Sequence, residues 1–120
     1  MDPCFHLVAA DCSNHGRFSV QARELPTGQK DHKIIVGKTM IDIITVPGSP
    51  IEVRMDREPD FEVVKSEKTV EIYAPHYSLQ SLIVDRDHTL AIEINPLVVK
   101  SHMCGLCGNF NNQHKVRCKK

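Results

Sequence analysis

Five cysteines sit at the two ends of this 120-residue chain: Cys4 and Cys12 near the start, then Cys104, Cys107 and Cys118. The chemistry the chain could do concentrates around the second group, in residues 101–112, and three readings compete there. Cys104 and Cys107 form a CxxC pair, the spacing at which two sulfurs close a small ring and one thiol becomes acidic. That redox chemistry belongs at a helix N-terminus after a strand, and no helical pattern follows here. Zinc is the second reading: Cys104, Cys107, His114 and Cys118 supply four ligands, with His102 to spare. Their gaps of two, six and three residues are not those of a nucleic-acid-binding knuckle, and Phe110 is the one nearby aromatic that could stack on a base. The third reading is structural disulfides joining this segment to the first strands. Gly105 and Gly108 would let the backbone turn tightly around the sulfurs. This reading fits a cysteine-rich β domain made in an oxidising compartment. An odd count leaves one thiol for another chain or for a cysteine outside this sequence.

The elements that must position these sulfurs are strands. Phe18, Val20 and Ala22 alternate with Ser19, Gln21 and Arg23, the period-two signature of a half-buried strand. Pro26-Thr27-Gly28 breaks the run. Residues 33–36 and 39–46 are rich in β-branched side chains and flank Gly37-Lys38, which reads as a hairpin. Pro47-Gly48-Ser49-Pro50 is a turn, 51–55 a short strand and 56–60 a charged loop. Residues 61–64 and 69–73 form a second hairpin, and 79–84 and 90–94 a third, with Leu90, Ile92 and Ile94 on one face. Eight to ten strands at spacings near ten residues predict an all-β, antiparallel sandwich or meander with little helix. Met40, Met55 and Met103 are expected to fill the core. The seven histidines are expected at the surface or in turns.

Composition narrows the function. Fifteen basic and fifteen acidic residues give zero net charge with the histidines neutral, so no long-range field draws the chain to nucleic acid or an anionic membrane. No apolar run is long enough for a transmembrane helix. Trp is absent and aromatics make up 5%, so the core must be Val, Ile and Leu. No Ser–His–Asp order with a nucleophile elbow occurs, nor a phosphate-cradling glycine loop. Asp85, Asp87 and Glu93 read as solvated residues of a hairpin. The predicted function is non-catalytic. No signal peptide is visible, and the cysteine pattern favours secretion, so the expectation is a piece of a larger secreted protein.

Two segments carry a family resemblance. Cys104-Gly105-Leu106-Cys107-Gly108-Asn109-Phe110-Asn111 resembles the signature of the von Willebrand factor type D domain. Cys4-Phe5-His6-Leu7-Val8-Ala9-Ala10-Asp11-Cys12 resembles that family's first cysteine-bracketed strand, followed as in the family by one like Gly16-Arg17-Phe18-Ser19-Val20. The match covers nearly the whole chain, which would make 1–120 a single, incomplete domain of this type with a disulfide-stapled CGLC loop. The resemblance implies a Cys12–Cys104 disulfide, leaves Cys4 and Cys118 as a second pair, and assigns Cys107 a partner outside this sequence. It also implies an extracellular, non-catalytic domain of a secreted glycoprotein, making protein–protein contacts or disulfide-linked assemblies. Tyr73-Ala74-Pro75 resembles the vitellogenin-like branch, which would point to a lipid-carrier or yolk storage parent. The full CGLCGNFN resembles the mucin and von Willebrand branch, and growth-factor-binding modulators are a further alternative. Many members bind calcium beside the CGLC loop. Here Asn109 and Asn111 match two of the oxygen donors, but the acidic residues that should follow are replaced by Gln113-His114-Lys115-Val116-Arg117. Calcium takes six to eight oxygens, usually with several carboxylates, so weak or no calcium binding is expected, and no other cofactor.

Overall fold

Alternation sorts this chain into an inside and an outside. In Phe18–Glu24 (β2), Phe18, Val20 and Ala22 are buried and the residues between them are partly exposed. The same rhythm runs through Lys30–Val36 (β3), Thr39–Thr45 (β4) and Thr69–Ala74 (β7). A computed structural model describes residues 4–12, 16–86, 89–95, 103–104 and 115–119. The remaining strands are His6–Asp11 (β1), Glu52–Met55 (β5), Glu62–Lys65 (β6), Leu79–Asp85 (β8), Thr89–Ile94 (β9), Met103–Cys104 (β10) and Lys115–Lys119 (β11). One 3-10 turn, Pro75–Tyr77, precedes β8. No α-helix occurs among the described residues.

The strands form two antiparallel sheets. The first is ordered β10-β1-β2-β3-β4-β5 and the second β11-β9-β8-β7-β6. Their inner faces share one aliphatic core. Ile34, Ile41 and Ile43 from the first sheet and Ile72, Leu82, Leu90, Ile92 and Ile94 from the second are fully buried. Each such side chain contributes about 2 kcal/mol on removal from water. The fold is therefore the all-β antiparallel sandwich that the period-two pattern predicts, with Leu90, Ile92 and Ile94 inward as expected.

Several expectations need correction. β3 begins at Lys30, not Lys33, and Lys30, Asp31 and His32 are all buried. Arg23 and Gln29 hold the Asp31 carboxylate at 2.7 and 2.9 Å, and Glu24 lies 3.6 Å from the Lys30 ammonium. These partners offset the cost of taking the charges out of water. His32 sits 2% exposed on the inner face, not at the surface. Met40 and Met55 are 36% and 41% exposed and do not fill the core. Met40 is on the outer face of β4, and Met55 faces inward from a strand that ends its sheet, with no further strand beyond it among the described residues. The Met103 side chain lies outside the described residues. In β1 a bulge between Leu7 and Ala9 breaks the alternation, so Val8, Ala9, Ala10 and Asp11 are buried in succession. Residues 115–119, which carry no strand signal in sequence, pair with residues 89–93 of β9.

The β3–β4 hairpin turns at Gly37, which has φ +60°, the first central position of a two-residue turn that glycine alone fills without strain. The Tyr77 ring closes over this turn from the second sheet. Its hydroxyl donates to Asp60 at 2.7 Å, and its edge meets Phe61 with 6.1 Å between centroids. The hydrogen bond to Asp60, with lesser contributions from lost hydration and the carboxylate's charge, holds the Tyr77 phenol above its ordinary pKa. A Cβ on Gly37 would lie 2.5 Å from Tyr77 Cε1. Gly37→Ala should therefore cost about 1–2 kcal/mol in backbone strain and a further amount for displacing the ring. Urea denaturation should show a smaller loss when Gly37→Ala is made in a Tyr77→Ala background.

Candidate functional site

The candidate site lies where the two ends of the chain meet, on the β1 side of the first sheet. β1 is flanked by β2 on one side and β10 on the other. The two residues of β10 pair with its last turn of ladder, Ala10 with Cys104 and Asp11 with Met103. Cys12 follows immediately. Cys12 and Cys104 are joined by a disulfide with their Cα atoms 6.1 Å apart, inside the usual span for such a bridge. The bond closes a loop of 92 residues. In the chain-entropy account, a loop of that size is worth about 4–5 kcal/mol against the unfolded state.

Asp11, the residue between ladder and disulfide, is 4% exposed. A carboxylate in that setting needs donors. The backbone N–H of Arg17 donates to Asp11 Oδ2 at 3.1 Å, and the Arg17 guanidinium lies 3.8 Å from the same oxygen. The carboxylate thus ties the start of β2 to the end of β1 beside the bridge. The sequence shows Asp11 only as the neighbour of a cysteine. The signal that could have singled it out is Arg17 at the start of the next strand.

The other sulfurs are less close-knit. Cys4 is exposed and precedes β1. Its neighbour Phe5 lies against the outer face of the first sheet, with the Arg23 guanidinium 4.6 Å and the Lys33 ammonium 4.8 Å from its ring centroid. These cation–π contacts are worth about 0.5–1 kcal/mol each, and they pin the backbone next to Cys4. Cys118 lies in β11, in register with Leu90, at the edge of the second sheet. Cys107, Asn109, Asn111 and His114 lie outside the described residues, so the calcium donors and most of the zinc set do too. Cys104, shared by the redox and zinc readings, is committed to the bridge with Cys12. Among the described residues, no three His, Cys, Asp or Glu side chains are grouped to hold a metal ion, and no helix is long and apolar enough to cross a membrane.

Asp11→Ala removes the acceptor from a part-buried donor and leaves Arg17 without this carboxylate. A loss of about 1.5–3 kcal/mol is expected, measurable as a lower denaturation midpoint with an unchanged m-value.

No curated protein and no solved structure matches the chain significantly. The family model of the von Willebrand factor type D domain matches residues 1–115. That span takes in β1 to β10, the disulfide and the CGLC segment. With ten of the eleven strands and the cysteine clasp inside the matched region, the chain belongs to the von Willebrand factor type D domain family.

Proposed function

We propose that this domain is a disulfide-braced, non-catalytic scaffold of a secreted multidomain glycoprotein, and that it works through contacts with other extracellular proteins. Domains of this family occur in extracellular multidomain proteins and are generally non-catalytic. The observation that carries the reading is the Cys12–Cys104 bond. A bridge between the first strand and the CGLC segment needs an oxidising compartment to form and persist. It also occupies one of the two sulfurs that an exchange-active CxxC pair would need. A static brace is therefore favoured over a centre for thiol–disulfide exchange.

Cys4 and Cys118 form the second pair in this proposal. Each flanks the side of the sandwich where the chain ends meet, Cys4 before β1 and Cys118 in β11. Cys107 then bonds a cysteine outside this sequence, which makes it the point of covalent attachment to the rest of the parent protein. The scaffold does not depend on tightly held calcium. The donors at hand, Asn109 and Asn111, are neutral amides followed by a basic stretch, where calcium selects carboxylates.

Non-reducing peptide mapping of material exported through a secretory pathway tests this. The expected cross-linked peptides join Cys12 to Cys104 and Cys4 to Cys118, with Cys107 outside both. A peptide joining Cys104 to Cys107 would overturn the brace and favour the exchange role. The parent reading frame separates the branches: a large lipid-binding module upstream would make this a carrier protein, and cysteine-rich repeats a mucin-like or growth-factor-binding one.

A further inference from the structure

The hydroxyl groups in the described turns differ in what holds them. Thr27 Oγ1 accepts from the Gln29 backbone N–H. The Ser66 and Thr69 hydroxyls share a hydrogen bond at 2.8 Å. Ser78 is buried. Ser49, in the turn from β4 to β5, makes no side-chain hydrogen bond, and its oxygen is open to solvent. The Ser49 backbone N–H donates to Val46 O at 3.0 Å, and Gly48 has φ +79°. With Pro47 and Gly48 at its centre this is a type II turn. Val46, Pro47, Gly48 and Pro50 are all exposed, and a Cβ on Gly48 would meet nothing within 4 Å. Pro50 keeps Ser49 toward extended backbone. Neither Thr27 nor Ser66 is followed by proline.

We infer that Ser49 is a modification site, the acceptor for an O-linked N-acetylhexosamine. Serine set among prolines in a chain that passes through an oxidising secretory compartment is the setting for this chemistry. The co-reactant is a nucleotide-activated N-acetylhexosamine, used by a transferase of that compartment. Ser49 Oγ attacks the sugar's C1. The C1–Oγ bond forms as the bond from C1 to the diphosphate oxygen breaks, and the hydroxyl proton leaves with the nucleoside diphosphate. No oxidation or reduction is involved. The inference rests on the extracellular reading proposed above, which supplies the compartment.

The position of the turn in the fold suits a folded acceptor. A Cβ on Gly28 would lie 3.2 Å from Pro47 Cγ, so the turn rests against the one between β2 and β3. Just beyond Pro50, the Ile51 N–H donates to Glu67 O at 3.2 Å, which ties it to the β6–β7 turn. Both ends of the Ser49 segment are therefore held while its middle projects. The cysteine clasp is at the other end of the sandwich. There the Gly37 N–H donates to Arg17 O at 2.9 Å, and Arg17 is bound to Asp11 beside Cys12. A sugar on Ser49 leaves that end unobstructed and covers Val46, which is 39% exposed.

The test is export of the full chain through a mammalian secretory pathway, followed by intact mass, disulfide mapping and fragmentation of the tryptic peptide 39–54. That peptide carries three hydroxyl residues, Thr39, Thr45 and Ser49, and the two threonines are buried. The expected result is the mass of an N-acetylhexosamine, bare or extended, placed on Ser49. Ser49→Ala should lose it and Ser49→Thr should keep it, with thermal melts matching the parent chain. An exported chain that has the Cys12–Cys104 bridge but a bare Ser49 would overturn this inference and leave the scaffold reading standing. So would a sugar on Thr27 alone, or a phosphate on Ser49 in place of the sugar. An exported chain without the bridge counts against the scaffold reading, whatever Ser49 carries. A chain retained in the cells overturns both.

Discussion

The Cys12–Cys104 bond is the constraint on which the rest of this domain depends. β10 is two residues long and touches β1 through two register pairs. A ladder that short cannot offset the entropy of bringing together points 92 residues apart. The covalent tie moves that cost into the unfolded state, and the short ladder then suffices to orient the segment. The buried Asp11 carboxylate is held in place by the same geometry. It has left water for a position fixed by the disulfide on one side and Arg17 on the other.

The sandwich itself is an economical solution for a chain without Trp. Its inner layer is almost wholly Ile, Leu, Val and Ala, with Phe18 as the one aromatic side chain among the fully buried residues. Apart from Asp11, the charged side chains buried among the described residues are Lys30 and Asp31 at the start of β3, each with a partner on an adjacent strand or turn. The two sides of the molecule are managed differently. Where the chain ends meet, a disulfide and a short added strand cover the first sheet's edge. On the opposite side the edge strands are short and carry charges, Glu52 and Arg54 on the outer positions of β5 and Glu62 and Lys65 in β6, the usual protection against unspecific pairing.

Much of the fold was legible because hairpins announce themselves locally. Gly37-Lys38 between two β-branched runs, and Pro47-Gly48-Ser49 after β4, mark reversals whose backbone demands few other residues meet. What resisted reading was set by distant partners. Lys30, Asp31 and His32 look like loop residues until the guanidinium of Arg23 and the carboxylate of Glu24 arrive from β2. Met40 looks like core by residue type, but its parity with Ile41 and Ile43 places it outside. β1 loses its alternation to a bulge that no residue type signals, and β11 is a basic tail that becomes a strand only because β9 offers an edge. At the site, five cysteines permit several pairings, and only the family resemblance pointed to Cys12 with Cys104. Asp11 stayed hidden because one carboxylate beside a cysteine is indistinguishable from a strand end until Arg17 is seen to fold back onto it.

The central claim is that the bridge between β1 and β10 carries a large share of the domain's stability. The most direct measurement compares urea denaturation of the oxidised chain with that of the Cys12→Ala, Cys104→Ala double variant, which leaves the other sulfurs untouched. The account predicts a loss of about 4 kcal/mol, a large share of the ordinary total stability of ~5–15 kcal/mol. A variant that unfolds cooperatively at the same midpoint as the parent chain would contradict it.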